Sequence, residues 1–298
     1  MNILITGGTG FIGTKLCERL LQDKHQLVVL TRKTQSDFFK TTDVRAISSI
    51  NELTPEDTFD AVINLAGEPI ADKRWTHTRK NIILQSRIQT TQALIDFFKT
   101  MTIKPKLFIS GSAIGFYGMG VSDATITEQD IGDHSFSSQL CQQWEQQAWQ
   151  ADQLGIRTCL IRTGIVLDKN GGALNKMLPP FKLGVGGKIG SGKQWMSWIH
   201  REDLVGIILH CIENQTLNAA INGCAPNPVT NNEFTKTLGK VLNRPTIFSM
   251  PSFAIKLLMG EMGNELLLNG KKIVSTKLEK HGYQFKYVEL DDALQNSI

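Results

Sequence analysis

The chain opens on Met1-Asn2-Ile3-Leu4-Ile5-Thr6, a short apolar run, and passes at once into Gly7-Gly8-Thr9-Gly10-Phe11-Ile12-Gly13. Leu16, Leu20 and Leu21 follow at helical spacing, so the glycines stand between a strand and an amphipathic helix. That context demands a sharp backbone turn, close approach of a ligand with no Cβ in the way, and tight packing of helix on strand. Gly7, Gly10 and Gly13 suit these needs, and Thr9, Phe11 and Ile12 lie between them at the helix start. The uncovered N–H groups there, with the positive end of the helix dipole, make a cradle for a dinucleotide pyrophosphate.

The second strand, Gln26 to Thr31, ends where an NAD site places an acid about 20 residues past the glycines. Arg32 and Lys33 stand there instead. A guanidinium pairs with a 2′-phosphate and stacks on adenine, which favours NADP(H) over NAD(H); the alternative is a pair of solvated loop cations.

Beyond Arg32, strands and helices alternate. Val44–Ile47 reads as a third strand, Phe59–Leu65 as a fourth, Pro105–Ser110 as a fifth, Ile156–Arg162 as a sixth and Ala219–Gly223 as a seventh. Helices are expected over about 75–100 and 137–154. This is the pattern of an α/β Rossmann-type doubly wound parallel sheet of about seven strands, with ligands at the carboxyl ends of the strands. The expected division is a dinucleotide-binding domain over 1–168, completed by about 198–224, and a smaller substrate or C-terminal lobe from 169–197 and 225–298. By the strand-end rule, Leu65, Ala66 and Gly67 after strand four, Ser110 and Ser112 at strand five, and Arg162 at strand six fall beside the cofactor. Ser112 and the nearby Tyr117 are the candidate catalytic hydroxyls.

With 41% hydrophobic and 20% charged residues, the 298-residue chain is an ordinary globular one. Its net charge of +4 comes from scattered residues, without the basic run of a nucleic-acid surface. No apolar stretch reaches membrane-spanning length and no charged leader precedes strand one, which points to the cytoplasm. Cys17, Cys141, Cys159, Cys211 and Cys224 are widely spaced, so neither a disulfide framework nor a metal site is expected. The Gly-rich run 184–194 is not a P-loop, because Gly192-Lys193 is followed by Gln194.

Two clusters are candidates for substrate. Glu68, Arg74 and Trp75 follow strand four, and Lys193, Trp195 and Trp198 belong to the segment leading into His200-Arg201-Glu202-Asp203. Arg74 or Lys193 would hold an anionic group and the indoles a flat one. A solvated loop and a helix-start acid are the plainer readings of Arg74 and Asp203.

The stretches ITGGTGFIG, VINLAGEPIADKRW, ISGSAIGFYG, IRTGIVL, WMSWIHREDL, GEMGNELLLNGKK and LEKHGY resemble an extended short-chain dehydrogenase/reductase of the NAD-dependent epimerase/dehydratase superfamily. The subgroup they match is the epimerase family proteins, which are like nucleoside-diphosphate-sugar epimerases and carry a short C-terminal domain of unknown function. The resemblance implies a Ser after strand five, matched by Ser112, and a Tyr and Lys in a YxxxK helix, the Tyr as acid/base and the Lys lowering its pKa while holding the ribose. Here those slots hold Phe136 and Leu140, or Ser137 and Cys141 one position on. Neither pair replaces a lysine-activated phenol. Another acid/base, a proton relay supplied by substrate, or a protein that binds the cofactor for sensing or interaction remain open. The resemblance also implies that His200 and Asp203 are positioners, that the C-terminal lobe packs over the cleft, and that a homodimer forms through the long helices after strands four and five. The resulting expectation is an NADP(H)-binding oxidoreductase or epimerase acting on a small carbonyl or hydroxyl compound, nucleotide-linked sugars included.

Overall fold

Strand β1 (Asn2–Thr6) is buried on both faces from Ile3 onward, as a central strand of a parallel sheet must be. The computed structural model describes residues 1–32 and 43–298. Around β1 lie β2 (Gln26–Leu30), β3 (Val44–Ile47), β4 (Ala61–Asn64), β5 (Leu107–Ala113), β6 (Arg157–Thr163) and β7 (Ala219–Gly223). They form a seven-stranded sheet of order β7-β6-β5-β4-β1-β2-β3, every pair parallel. Thr6 sits opposite both Leu30 and Asn64, so the order reverses between β1 and β4 and opens a crevice at their carboxyl ends.

Nine helices are described: α1 (Phe11–Gln22), α2 (His77–Thr100), α3 (Phe136–Gln153), α4 (Gly172–Lys182), α5 (Arg201–Glu213), α6 (Asn231–Leu242), α7 (Ser252–Leu267), α8 (Thr276–Lys280) and α9 (Leu290–Ser297). Alternation along the strands sends Ile3 and Ile5 to one face with Leu16 and Leu20 of α1 and Ile207 and Ile208 of α5. Leu4, Val62 and Phe108 go to the other, against Leu94 and Phe98 of α2 and Ala148 of α3. Among the described residues no helix is long and apolar enough to cross a membrane.

Strand β5 runs to Ala113, three residues past the expected end, because Gly111 lets the Trp144 indole close over the sheet. A Cβ on Gly111 would stand 2.9 Å from that ring. Helix α7 is kinked at Gly260 (φ +61°, ψ −138°) and continues to Leu267. Beyond the kink Met262 and Leu266 pack, with Met259, against Phe136 and Leu140.

Candidate functional site

The glycine turn has the shape a pyrophosphate needs. Gly7 is left-handed (φ +71°), and a Cβ on it would stand 2.7 Å from the Leu65 carbonyl group. The Gly10 N–H donates to the Gly7 carbonyl at 2.9 Å, and a Cβ on Gly13 would run into that same carbonyl. The N-cap of α1 is Gly10, which has no side chain, and no acid stands in the first turn. The first N–H groups of the helix therefore face outward beside a backbone surface that any Cβ would fill, and the residues present fit a dinucleotide.

Thr9 Oγ1 lies 3.3 Å from Thr31 Oγ1, tying the turn to the end of β2, and exposed Arg32 follows directly. Lys33 lies outside the described residues. Leu65, Ala66 and exposed Gly67 leave β4 alongside Gly7. Their path is set by Thr6 Oγ1, which donates to Asn64 Oδ1 at 2.6 Å and accepts from the Ala66 N–H at 3.3 Å. Asn64 Nδ2 in turn donates to Thr91 Oγ1 at 2.9 Å and Ser110 Oγ at 3.4 Å, which makes Ser110 a buried brace under the cleft.

At the end of β5 the two candidate catalytic hydroxyls join one buried network. Ser112 Oγ donates to Glu145 Oε1 at 2.6 Å, and Arg162 grips both Glu145 oxygens at 2.8 Å through Nε and Nη2. Arg162 Nη1 donates to the Tyr117 hydroxyl at 2.9 Å, which donates to Asn222 Oδ1 at 2.7 Å. Burial works against the Arg162 charge, yet the bonds to Glu145 outweigh it and hold the guanidinium above its ordinary pKa. Burial pushes the Tyr117 phenol up to about 12. Arg162 is thus bonded to Glu145 and stacks 3.4 Å above the Phe116 ring at the end of β6. Tyr117, 1% exposed, faces this network and not the cleft, because the Ile114–Tyr117 turn folds it back under β5.

The YxxxK slots fall at the first turns of α3, as the spacing suggests. Phe136 and Leu140 form an apolar plug with Trp75, Ile83 and Met262. Glu265 of α7 reaches across and accepts from the Phe136 N–H at 3.1 Å, the Ser137 N–H at 2.9 Å and Ser137 Oγ. The C-terminal segment therefore packs on the first turns of α3, where the YxxxK slots fall.

Among the substrate candidates, Glu68 is held by Arg79 at 3.1 Å, and exposed Arg74 lies against Gly260 at the kink of α7. Trp75 is buried on Phe136, ring centres 4.8 Å apart, and donates to the Ile70 carbonyl. Lys193 is exposed, and the Trp195 indole donates to Asp123 at 3.1 Å. Trp198, expected at the substrate, is fully buried and donates to the Asn227 carbonyl. Asp203 accepts from the Lys286 N–H at 2.7 Å and the Tyr287 N–H at 2.9 Å, which ties the start of α5 to the C-terminal segment. Glu145, Glu265 and Arg87, which stands beside Gly67, belong to no sequence motif. Each is a charge within a helix, and no local pattern in the sequence marks it.

The family description "NAD dependent epimerase/dehydratase family" matches residues 3–222, and a domain of unknown function, DUF1731, matches 250–297. The chain belongs to the NAD dependent epimerase/dehydratase family. Across 99% of its length this family member is 38% identical to the chloroplastic epimerase family protein SDR39U1 homolog of Arabidopsis thaliana, covering 86% of that protein. It is also 38% identical to an epimerase family protein of Staphylococcus aureus, covering 98% of it. The human epimerase family protein SDR39U1, crystallised with NADPH, superposes with a TM-score of 0.88 at 33% identity over 100% of this chain and 99% of its own. A UDP-glucuronic acid 4-epimerase of Bacillus cereus shares the fold at TM-score 0.77 and 18% identity, over 100% of this chain and 98% of that one.

Proposed function

We propose that the chain binds NADP(H) at the crevice between β1 and β4 and acts as an oxidoreductase or epimerase on a small carbonyl or hydroxyl compound, without a YxxxK pair. The observation that carries this reading is the Gly7–Gly13 cradle, with its uncapped helix start and its Cβ-free surface against Leu65. The human relative crystallised with NADPH supports the choice of cofactor, and so does Arg32 where an NAD site would carry an acid. When bound, the nicotinamide supplies the hydride chemistry.

The chain's own residues do the rest. The α1 N–H groups hold the pyrophosphate, Arg32 pairs with the 2′-phosphate, and Gly67 leaves room beside β4. Ser112, its proton committed to Glu145, offers its oxygen as an acceptor to a substrate hydroxyl. Fluorescence titration is expected to show NADPH binding at least about tenfold tighter than NADH, a preference that Arg32→Ala removes. Equal affinity for the two cofactors would overturn the NADP assignment.

The apolar plug at Phe136 and Leu140 favours a second reading, a protein that senses NADP(H) or uses it to bind a partner. On that reading a panel of carbonyl compounds leaves bound NADPH unoxidised. On the first, at least one compound oxidises it, and Ser112→Ala slows that turnover.

A further inference from the structure

Leu140 leaves the cleft without the lysine that the family pattern sets on the helix after β5. A cation reaches the same level from the facing helix. Along α2, Thr91 bonds Asn64 at the end of β4, Arg87 lies one turn above it, and Ile83 one turn higher packs with Leu140. Along α3, Trp144 covers Gly111 of β5. The Arg87 guanidinium thus stands just past the carboxyl ends of β4 and β5, where an open α/β sheet holds its ligand.

Its surroundings are those of a donor kept for a ligand. Its Cζ lies 5.1 Å from the Trp144 ring centre. On another side a Cβ on exposed Gly67 would stand 3.0 Å from Cζ and 3.2 Å from Nη2. Nη1 donates to the Glu68 carbonyl at 3.1 Å, the Ile83 carbonyl at 3.0 Å and Ser86 Oγ at 3.5 Å. Nε and Nη2 have no acceptor among the described residues, and no carboxylate there pairs with Arg87; Glu68 is taken by Arg79. Burial holds the guanidinium below its ordinary pKa. Arg87 is half-buried and Nε and Nη2 reach solvent, so an acceptor bound in the cleft takes the place of water on them.

We infer that Arg87 holds the nicotinamide ribose of the bound dinucleotide through Nε and Nη2, doing from α2 the binding task that the YxxxK lysine does from the helix after β5. The inference rests on the NADP(H) reading above. Two planar donors on one side of a guanidinium match two vicinal ribose hydroxyl oxygens.

The test compares NADPH with 2′,5′-ADP, which keeps the adenosine and 2′-phosphate half and lacks the nicotinamide ribose, by calorimetric titration. Arg87→Met is expected to weaken NADPH about ten- to a hundredfold and to leave 2′,5′-ADP within about twofold, which also shows that the variant is folded. Arg87→Lys keeps the charge and guards against an unfolded Met variant; it is expected to weaken NADPH about three- to tenfold with the same unchanged 2′,5′-ADP binding. Equal losses for both ligands, or no loss for NADPH, overturn the role of Arg87 alone. A wild-type protein that binds neither ligand overturns the cofactor reading and this inference with it.

Discussion

His200 is 4% exposed, and its Nδ1 accepts the Glu202 N–H at 3.1 Å, so the ring proton sits on Nε2, a buried atom without a partner among the described residues. Burial lowers its pKa from 6.5 to about 4, although Glu202 and Asp168 pull the other way and the Tyr287 ring stacks at 3.9 Å. The unfolded chain takes up this proton near pH 6.5 and the folded one only near 4. The contribution is therefore complete above pH 6.5 and is lost as the pH falls toward 4. Between pH 7 and 5 the wild type is expected to lose about 2 kcal/mol more stability than His200→Asn, which keeps an N-cap acceptor and cannot titrate. Urea unfolding at the two pH values reads the difference, and parallel losses would remove His200 from the account. At this scale legibility was uneven. Gly7, Gly13 and Asp203 declare themselves because local backbone geometry or a helix start requires them. Glu145 and Arg162 meet only because β5 and β6 align Ser112 with Arg162, a pairing no local pattern carries.

Helix α3 shows how one element depends on another far away in the chain. Its own N-cap, Ser135, makes no side-chain cap, because its hydroxyl is bonded to Asp133. Glu265 of α7 supplies the missing acceptor, and its negative charge suits the positive end of the helix. Glu265→Ala is expected to cost about 1 to 2 kcal/mol, the ordinary worth of a cap. Hydrogen exchange should quicken at the first amides of α3 and along the second half of α7. Unchanged protection there would show that the plug of Phe136, Leu140 and Met262 holds the two helices together without the carboxylate. The strands were readable because their apolar runs are local. The second half of α7 is not local: the face formed by Met259, Met262 and Leu266 has meaning only beside Phe136 and Leu140.

At the scale of the whole molecule, alternating strands and helices account for the parallel sheet, and the observed strand order puts the cradle beside Gly67 after β4, with Ser112 on the next strand. The smaller lobe expected over 169–197 and 225–298 is another matter. Leu174, Leu178 and Phe181 of α4, Phe234 and Leu238 of α6, and Leu290 and Leu294 of α9 join the same apolar cluster as Ile3, Ile5 and Leu16. Core residues that interdigitate in this way cannot be exposed in one part while the other stays intact, so the chain should unfold as one cooperative unit. Calorimetry is expected to give a single endotherm whose measured enthalpy equals the van't Hoff value. Leu294 is fully buried near the end of the chain, and Leu294→Ala should lower stability by about 2 to 5 kcal/mol. If the core is shared, that loss moves the whole endotherm down in temperature, the unfolding of the distant glycine cradle included. An early transition of the C-terminal part alone, with NADPH binding retained through it, would instead show two units that fold apart.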